Sequence, residues 1–219
     1  MEIDLKRRAV CLVRPLLALA LLAAAAAALG IRDWNDRPLV YGTAAVFDEG
    51  GSLVGLTYVF GGEALYGLPW RPGYVLRVAW GIATPSEAAS GRVIWIYDSS
   101  VARDVYELGA PGGGKIRTWV YPVTVVVREA GGRPAAGCYA RVVDAASGGR
   151  WVNVFASTAS DGSVRLYQAP ATDYIVSIYC GGYLAATAKF SVQRGAPSTA
   201  WNYEIAVEYI TSVKVENAP

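Results

Sequence analysis

The chain has 219 residues and a formal charge of +2, from 20 basic and 18 acidic side chains, and it contains no histidine. Near-balanced charge gives no electrostatic reason to expect nucleic-acid binding. The lack of histidine removes the commonest general base and metal ligand at neutral pH. We therefore predict no cofactor, no metal and no enzymatic activity; acidic pairs brought together by folding are the remaining catalytic alternative.

Side chains that are damaged by heat are scarce. Asparagine stands only at positions 35, 153, 202 and 217, glutamine only at 168 and 193, and there is one methionine. This bias is reported for proteins of hot environments, so the composition suggests a thermophilic source.

A basic start and an apolar run open the chain. Four cations lie between Met1 and Arg14, and residues 16–29 are all leucine or alanine. This order is typical of a secretory signal peptide. Small residues at Ala28 and Gly30 predict cleavage near them, before Ile31 or a few residues earlier.

A retained membrane anchor over residues 9–31 is the alternative, because about twenty residues span the hydrocarbon core. A helix buried in the protein core is a third interpretation. In the first two cases the residues beyond the run are exported. The chain is therefore predicted to be secreted or tethered at the cell surface.

Beyond the apolar run, short β-branched segments alternate with Gly, Pro and Asp, which predicts an all-β chain. We predict two immunoglobulin-like or prealbumin-like antiparallel β-sandwich units. The predicted divisions are a signal or anchor helix at 1–30, a linker at 31–38, a short β-sandwich unit at 39–98, a bridge at 99–118 and a second sandwich at 119–219. Strands are predicted at 39–47, 53–60, 74–80, 93–97, 120–127, 138–143, 151–156, 164–167, 174–180, 185–192 and 201–215.

The first unit repeats part of the second in shortened form. Each contains a strand ending in Leu-Tyr, a Pro turn, and a strand that opens with Tyr and closes at Gly, at 65–81 and 166–181. The stretch before this pattern is much shorter in the first copy, so the first copy lacks at least one hairpin. It is either a reduced unit or an incomplete sandwich that accepts a strand from a neighbouring subunit. The donor would be the C-terminal run 201–215.

The second unit carries an ordered set of turn and strand motifs. They are Gly-Gly-Arg-Pro at 131–134, Gly137 before a strand, Thr-Ala-Ser-Asp-Gly at 158–162, Val-Arg-Leu at 164–166 before a Pro turn, Tyr-Ile-Val-Ser-Ile at 174–178 and Gly-Tyr at 182–183. This order resembles the β-sandwich group of carboxypeptidase-regulatory-like, Cna-B and transthyretin-like modules. The resemblance implies a non-catalytic spacer, stalk or binding domain of an exported protein.

Two cysteines of the second unit share the inward face of their strands. Alternation places Cys138 with the apolar residues of the strand 138–143, on the face opposite to Tyr139 and Arg141, and it places Cys180 with Tyr174, Val176 and Ile178. In an oxidising compartment these residues are predicted to form a disulfide that pins strands across the sandwich, worth about 2 to 4 kcal/mol. Two free buried thiols are the alternative.

Some Cna-B modules form an internal amide between a lysine and an asparagine. On that resemblance Lys115, before the first strand, and Asn202, in the last, are the positions to consider. The surrounding residues do not match the pattern of that group, and both residues are interpreted as surface groups.

Aromatic residues are abundant, with seven Trp and fourteen Tyr. Trp70, Trp119 and Trp151 are the candidate contacts with a ligand or partner, although burial in a small core explains the aromatics equally well. We predict an extracellular structural or adhesive protein, a filament or surface-layer subunit assembled by β-strand addition with other copies or other surface proteins. The alternative is a carbohydrate-binding module whose partner is a glycan.

Overall fold

The computed structural model describes residues 29–64, 67–69, 71–101, 114–195 and 201–207. The apolar run up to Ala28 and the bridge residues 102–113 lie outside these ranges. The elements are β1 (Gly30–Arg32), β2 (Tyr41–Phe47), β3 (Leu53–Phe60), β4 (Glu63–Ala64), β5 (Val75–Trp80), α1 (Pro85–Ala89), β6 (Trp95–Asp98), β7 (Lys115–Arg117), β8 (Val120–Glu129), β9 (Tyr139–Asp144), β10 (Asn153–Ser157), β11 (Ser163–Pro170), β12 (Asp173–Cys180), β13 (Tyr183–Ser191) and β14 (Trp201–Val207). The prediction of a mainly β chain is confirmed. No helix in the described ranges is long and apolar enough to cross a membrane.

The chain divides into two compact units. The first comprises Met1–Arg32, Arg37–Ser90 and Tyr97–Arg117, and the second comprises Asp33–Asp36, Gly91–Ile96 and Thr118–Pro219. Short pieces from early in the sequence therefore belong to the later unit, which no local pattern reveals.

Strands β1 to β7 form one seven-stranded sheet in the order β6-β5-β2-β3-β4-β1-β7. Strand β2 pairs antiparallel with both β3 and β5 and is buried at six of its seven positions. Its small residues permit this, since a side chain at Gly42 would collide with Leu39 and the carbonyl of Ala79. The sequence predicts a short β-sandwich unit here, and the seven described strands are hydrogen-bonded into one continuous sheet.

Helix α1 forms where the sequence shows no helical period. Thr84 and Glu87 make a capping box, in which each side chain accepts a hydrogen bond from the backbone of the other, and Pro85 occupies the first turn. The buried hydroxyl of Thr43 accepts from the amide of Ala83 at 2.8 Å and so holds the chain just before the helix. Capping rather than periodicity explains this element.

Two sheets make up the main part of the second unit. Strand β8 pairs antiparallel with β11 and parallel with β14, while the other sheet has the antiparallel order β10-β9-β12-β13. Alternate residues of the central strands are buried, namely Val123, Val125, Val127, Ala140, Val142, Tyr174, Val176 and Ile178. Each sheet therefore has one apolar face and one solvated face, as sheets that pack on a common core require.

The C-terminal run begins as a strand at the predicted position. Its register with β8 extends from Trp201 opposite Val123 to Val207 opposite Glu129. Residues 208–215 of the predicted strand lie outside the described ranges. The part that the structure describes completes a sheet of its own unit, so donation to a neighbour would have to come from the residues beyond Val207.

Residues of the stretch interpreted as a linker, 31–38, are held by tertiary contacts. The amide of Trp34 donates to the carbonyl of Val120 at 2.9 Å, and the Trp34 ring packs on Tyr121 with 5.4 Å between centroids. The buried carboxylate of Asp33 accepts from the side-chain amide of Gln168 at 3.2 Å. Polarity alone therefore does not make this segment a free linker.

Tyr174 fixes the corner between β11 and β12. Its buried hydroxyl donates to the carbonyl of Pro170 at 2.6 Å, and its ring stacks on Phe190 with 4.9 Å between centroids. A tyrosine that bonds back to the chain just upstream closes a similar corner in immunoglobulin-like sandwiches.

We expect Tyr174→Phe to lower the free energy of unfolding by about 1 kcal/mol, because the ring packing is kept and one buried hydrogen bond is lost. Tyr139→Phe is the matched control, since Tyr139 is exposed on the solvated face of its sheet, and it should leave stability unchanged. Urea unfolding of both variants measures the difference. Equal effects of the two substitutions would contradict the role of the Tyr174 hydroxyl.

Candidate functional site

The solvated face of the four-stranded sheet presents three rows of four side chains. The strand register defines the rows as Ser157, Tyr139, Tyr179 and Leu184; Phe155, Arg141, Ser177 and Thr187; and Asn153, Val143, Ile175 and Lys189. We call these twelve side chains the outer face. Because they project from strands rather than loops, their spacing is set by the sheet.

Two aromatic rings of the outer face stack on each other. The centroids of Tyr139 and Phe155 are 5.5 Å apart and their planes differ by 10°. The two residues are 48% and 63% exposed, and Leu184 in the same region is 58% exposed. Exposed apolar groups that adjoin one another, unlike isolated ones, indicate a contact surface.

The outer face also carries positive charge. Arg141 stands opposite Phe155 on the neighbouring strand, and its Nε donates to Oδ1 of Asn153 at 3.3 Å. Lys189 is exposed in the third row. The twelve positions include no carboxylate, but Asp173 is exposed on the same side of β12, in the next row beyond Ile175 and opposite Ser191. Arg141 pairs with Ser177, which lies roughly 13 Å along β12 from Asp173, so the potential around Arg141 and the two rings favours anions.

A second surface lies where the chain passes from β10 to β11, which are edge strands of the two sheets of this unit. A shallow groove of about 430 Å³ runs here, lined by Ala156, Ser157, Ala159, Ser160, Asp161, Ser163, Val164, Arg165 and Tyr167. We call it the edge groove. In the described sheets β10 pairs only with β9, and β11 only with β8. One main-chain edge of each strand is therefore outside the sheet ladders, the arrangement to which another strand can add.

Asp161 shapes one end of the edge groove. Its carboxylate accepts from the amide of Ser163 at 2.9 Å, as Asp residues commonly do in turns. Hydrogen bonds from the side chain and backbone of Ser163, with a smaller contribution from Arg165, hold the pKa of Asp161 below its ordinary value. The groove thus carries an ionised carboxylate beside a guanidinium at neutral pH.

Cys138 and Cys180 form a disulfide, as strand alternation predicts, with 4.5 Å between their Cα atoms. The predicted position across the two sheets was wrong. The bond joins neighbouring strands of one sheet, at the end where Tyr139 stands opposite Tyr179. Alternation shows which face a side chain takes, but it does not show which strands are neighbours.

The predicted contact residues have different surroundings. Trp119 and Trp151 are half-buried, and the guanidinium groups of Arg194 and Arg150 lie over their rings at 4.6 and 4.4 Å from the centroids. One face of each ring is thereby occupied. Trp70 lies outside the described residues.

Of the two residues named near the predicted cleavage site, the structure describes only one. Ala28 lies outside the described residues. Gly30 belongs to β1 and donates its amide to the carbonyl of Gly114 at 2.9 Å. Gly30–Arg32 therefore take part in the first sheet.

Lys115 and Asn202, the pair considered for an amide crosslink, belong to different units. Lys115 is exposed in β7, and the partner of Asn202 on β8 is Thr124 rather than a lysine. Among the described residues, the covalent tie of the second unit is the disulfide.

Sequence reasoning missed Phe155, Tyr167 and Leu184 as surface residues, although Tyr139 and Arg141 were correctly placed on the solvated face. Phe155 and Tyr167 are 63% and 70% exposed. The available signal for Phe155 was its alternation with half-buried Val154 and Ala156 and its position between polar Asn153 and Ser157. Phenylalanine side chains are more often buried than exposed, so the residue type favoured a buried Phe155 and argued against its observed exposure.

No protein-family model matches the chain, and no curated protein shows significant similarity to it. Solved structures with a similar arrangement include the minor pilin of Streptococcus agalactiae, at 11% identity and a TM-score of 0.37, covering 88% of this chain and 100% of that one. The Bacillus anthracis TIE protein has 13% identity and a TM-score of 0.36, with 84% and 34% covered. A streptococcal ancillary pilin has 9% identity and a TM-score of 0.33, with 83% and 68% covered.

Proposed function

We propose that this protein is an exported, non-catalytic structural or adhesive component of the cell surface, whose copies assemble by β-strand addition at the edge groove. Export by residues 1–30 suits the disulfide between Cys138 and Cys180, because such bonds persist in oxidising compartments. A small, mainly β unit with a disulfide is suited to contacting other proteins through its surface rather than to closing around a substrate.

The edge groove is the observation that carries this proposal. Edge strands of both sheets, β10 and β11, meet along it, and most of its lining side chains are small, such as Ala156, Ser157 and Ser163. Small side chains let a foreign backbone approach the unpaired edge. Main-chain hydrogen bonds would then supply affinity, and pockets for alternate side chains would supply specificity.

The stretch 208–215 is the proposed donor. It follows β14 directly in the sequence and alternates in part. Positions 209, 211, 213 and 215 are Tyr, Thr, Val and Val, and positions 208, 210, 212 and 214 are Glu, Ile, Ser and Lys. Eight extended residues span roughly 26 Å, which matches the eight residues of β11. Because β14 is paired in its own unit, we propose that the stretch after it pairs with a neighbouring copy.

We expect the chain 29–219 to assemble and the chain 29–207 to stay monomeric, because the truncation removes the donor and keeps β14. Light scattering and electron microscopy of the purified chains measure the difference. Ala159→Arg, an exposed position in the edge groove, should also prevent assembly. Ala130→Arg, an exposed turn position outside the groove lining, is the matched control and should assemble normally.

Two results would contradict strand addition. One is a chain 29–219 that remains monomeric at all concentrations tested. The other is normal assembly of both the truncated chain and the Ala159→Arg variant, which would place the contact elsewhere.

A further inference from the structure

We propose that the outer face of the four-stranded sheet binds an acidic polysaccharide, that is, a glycan whose sugar rings carry carboxylates. This goes beyond assembly at the edge groove, since it uses a sheet face rather than a strand edge. It names a ligand class, acidic glycans, for the surface protein proposed above.

The stacked rings of Tyr139 and Phe155 supply the apolar part of the site. A sugar ring has C–H faces that pack on aromatic side chains, which combine a large apolar area with little rotational freedom. The two residues are 48% and 63% exposed while they contact each other. Because the pair spans β9 and β10, the sheet fixes its position without help from a loop.

Polar side chains surround these rings at regular intervals. Ser157, Ser177, Thr187 and Asn153 provide hydroxyl and amide groups that can both donate and accept. Residues on one face repeat about every 6.6 Å along a strand and about 4.8 Å between strands, a spacing on the scale of a sugar ring. A few placed polar groups among apolar ones are what fixes a ligand in orientation.

The charge of the outer face favours an acidic glycan over a neutral one. Arg141 and Lys189 are both exposed. Asp173, on the same side of the sheet, lies in the row next to Lys189, whereas Arg141 stands opposite Phe155, two rows from that carboxylate. The bond from Nε of Arg141 to Asn153 holds the guanidinium beside the rings. The terminal amino groups of such a side chain match the two oxygens of a carboxylate.

The test is calorimetric titration of the chain 29–219 with polygalacturonate, alginate and hyaluronan, and with neutral dextran of similar length. We expect binding of at least one of the acidic polymers, roughly tenfold tighter than dextran and weakened by salt. The double variant Tyr139→Ala, Phe155→Ala should lose roughly tenfold or more in affinity. Arg141→Gln should retain the aromatic contact and lose most of the preference for the acidic polymers.

Phe60→Ala is the matched control, because Phe60 of β3 belongs to the first unit and is 48% exposed, the same fraction as Tyr139. It should bind like the unchanged chain, and thermal melting should show that all variants are folded. Failure to bind any acidic polymer would overturn the proposal, as would an equal loss in Phe60→Ala. A change of oligomeric state in the double variant, without a change in glycan affinity, would also overturn it and identify the outer face as a contact between copies.

Discussion

Replacing both Cys138 and Cys180 by alanine is expected to lower the free energy of unfolding by about 4 kcal/mol. The bond links residues 42 positions apart, so its loss frees a long loop in the unfolded chain and raises the entropy of that state. Alanine keeps the inward face of β9 apolar, where Cys138 is buried. Urea unfolding of the chain 29–219, which contains only these two cysteines, measures the loss.

Reduction provides the control for this experiment. The unchanged chain should fall to nearly the stability of the double variant when a reductant is added, and the double variant should not respond. A loss below about 1 kcal/mol, within the range of an ordinary surface substitution, would show that the bond does not constrain the unfolded chain.

Removing the carboxylate of Asp144 is expected to have the second largest effect, about 3 kcal/mol for Asp144→Ala. The buried side chain at the end of β9 organises the turn that leads to β10. One oxygen accepts from the amide and hydroxyl of Ser147 at 2.8 and 2.6 Å. The other accepts from the amides of Trp151 and Val152 at 3.2 and 2.9 Å. Alanine leaves these donors without their acceptor.

The loss should depend on pH. Burial alone would raise the pKa of Asp144, but the hydrogen bonds from Ser147, Val152 and Trp151 outweigh it and hold the pKa below its ordinary value. A carboxylate with a lowered pKa stabilises the fold above the unfolded pKa of about 3.9, and this contribution disappears as the pH falls through the folded pKa. The difference between Asp144→Asn and the unchanged chain should therefore be constant near neutral pH and shrink below about pH 4.

Asp161→Asn is the control for the Asp144 variants. Asp161 also accepts from a turn amide but is exposed, so its replacement should cost much less. Unfolding curves of the three proteins from pH 2 to 7 make the comparison. A loss for Asp144→Asn that stays unchanged across this range would contradict a stabilising carboxylate.

The local pattern of the sequence was sufficient to locate most of the longer strands. The run 53–60 coincides with β3, and the other long runs up to residue 192 differ from the observed strands by a few residues at their ends. The run 201–215 begins with β14, and its part beyond Val207 lies outside the described residues. The short strands β1, β4 and β7 were missed because two or three residues cannot show a period. The helix α1 was missed because its signal is a capping box of two side chains rather than a repeat.

The candidate sites were only partly accessible to such reasoning. The edge groove depends on which strands end a sheet, and the outer face depends on which strands lie side by side. Tyr139 could be assigned to the solvated side from alternation alone, whereas its stacking on Phe155 required the register of β9 and β10. The turn acceptor Asp144 looked like any acidic residue near a glycine-rich loop.

The sequence by itself determined a mainly β chain and the inward direction of Cys138 and Cys180, because a strand alternates with a period of two that any short window displays. Only the tertiary structure decided that β12 lies beside β9, that β14 runs parallel to β8, and that one continuous sheet holds β1 to β7. Neighbours in a sheet are separated in the chain by many residues, and their choice depends on the burial of whole faces and on register. That information is distributed over the entire fold, so no segment carries it alone.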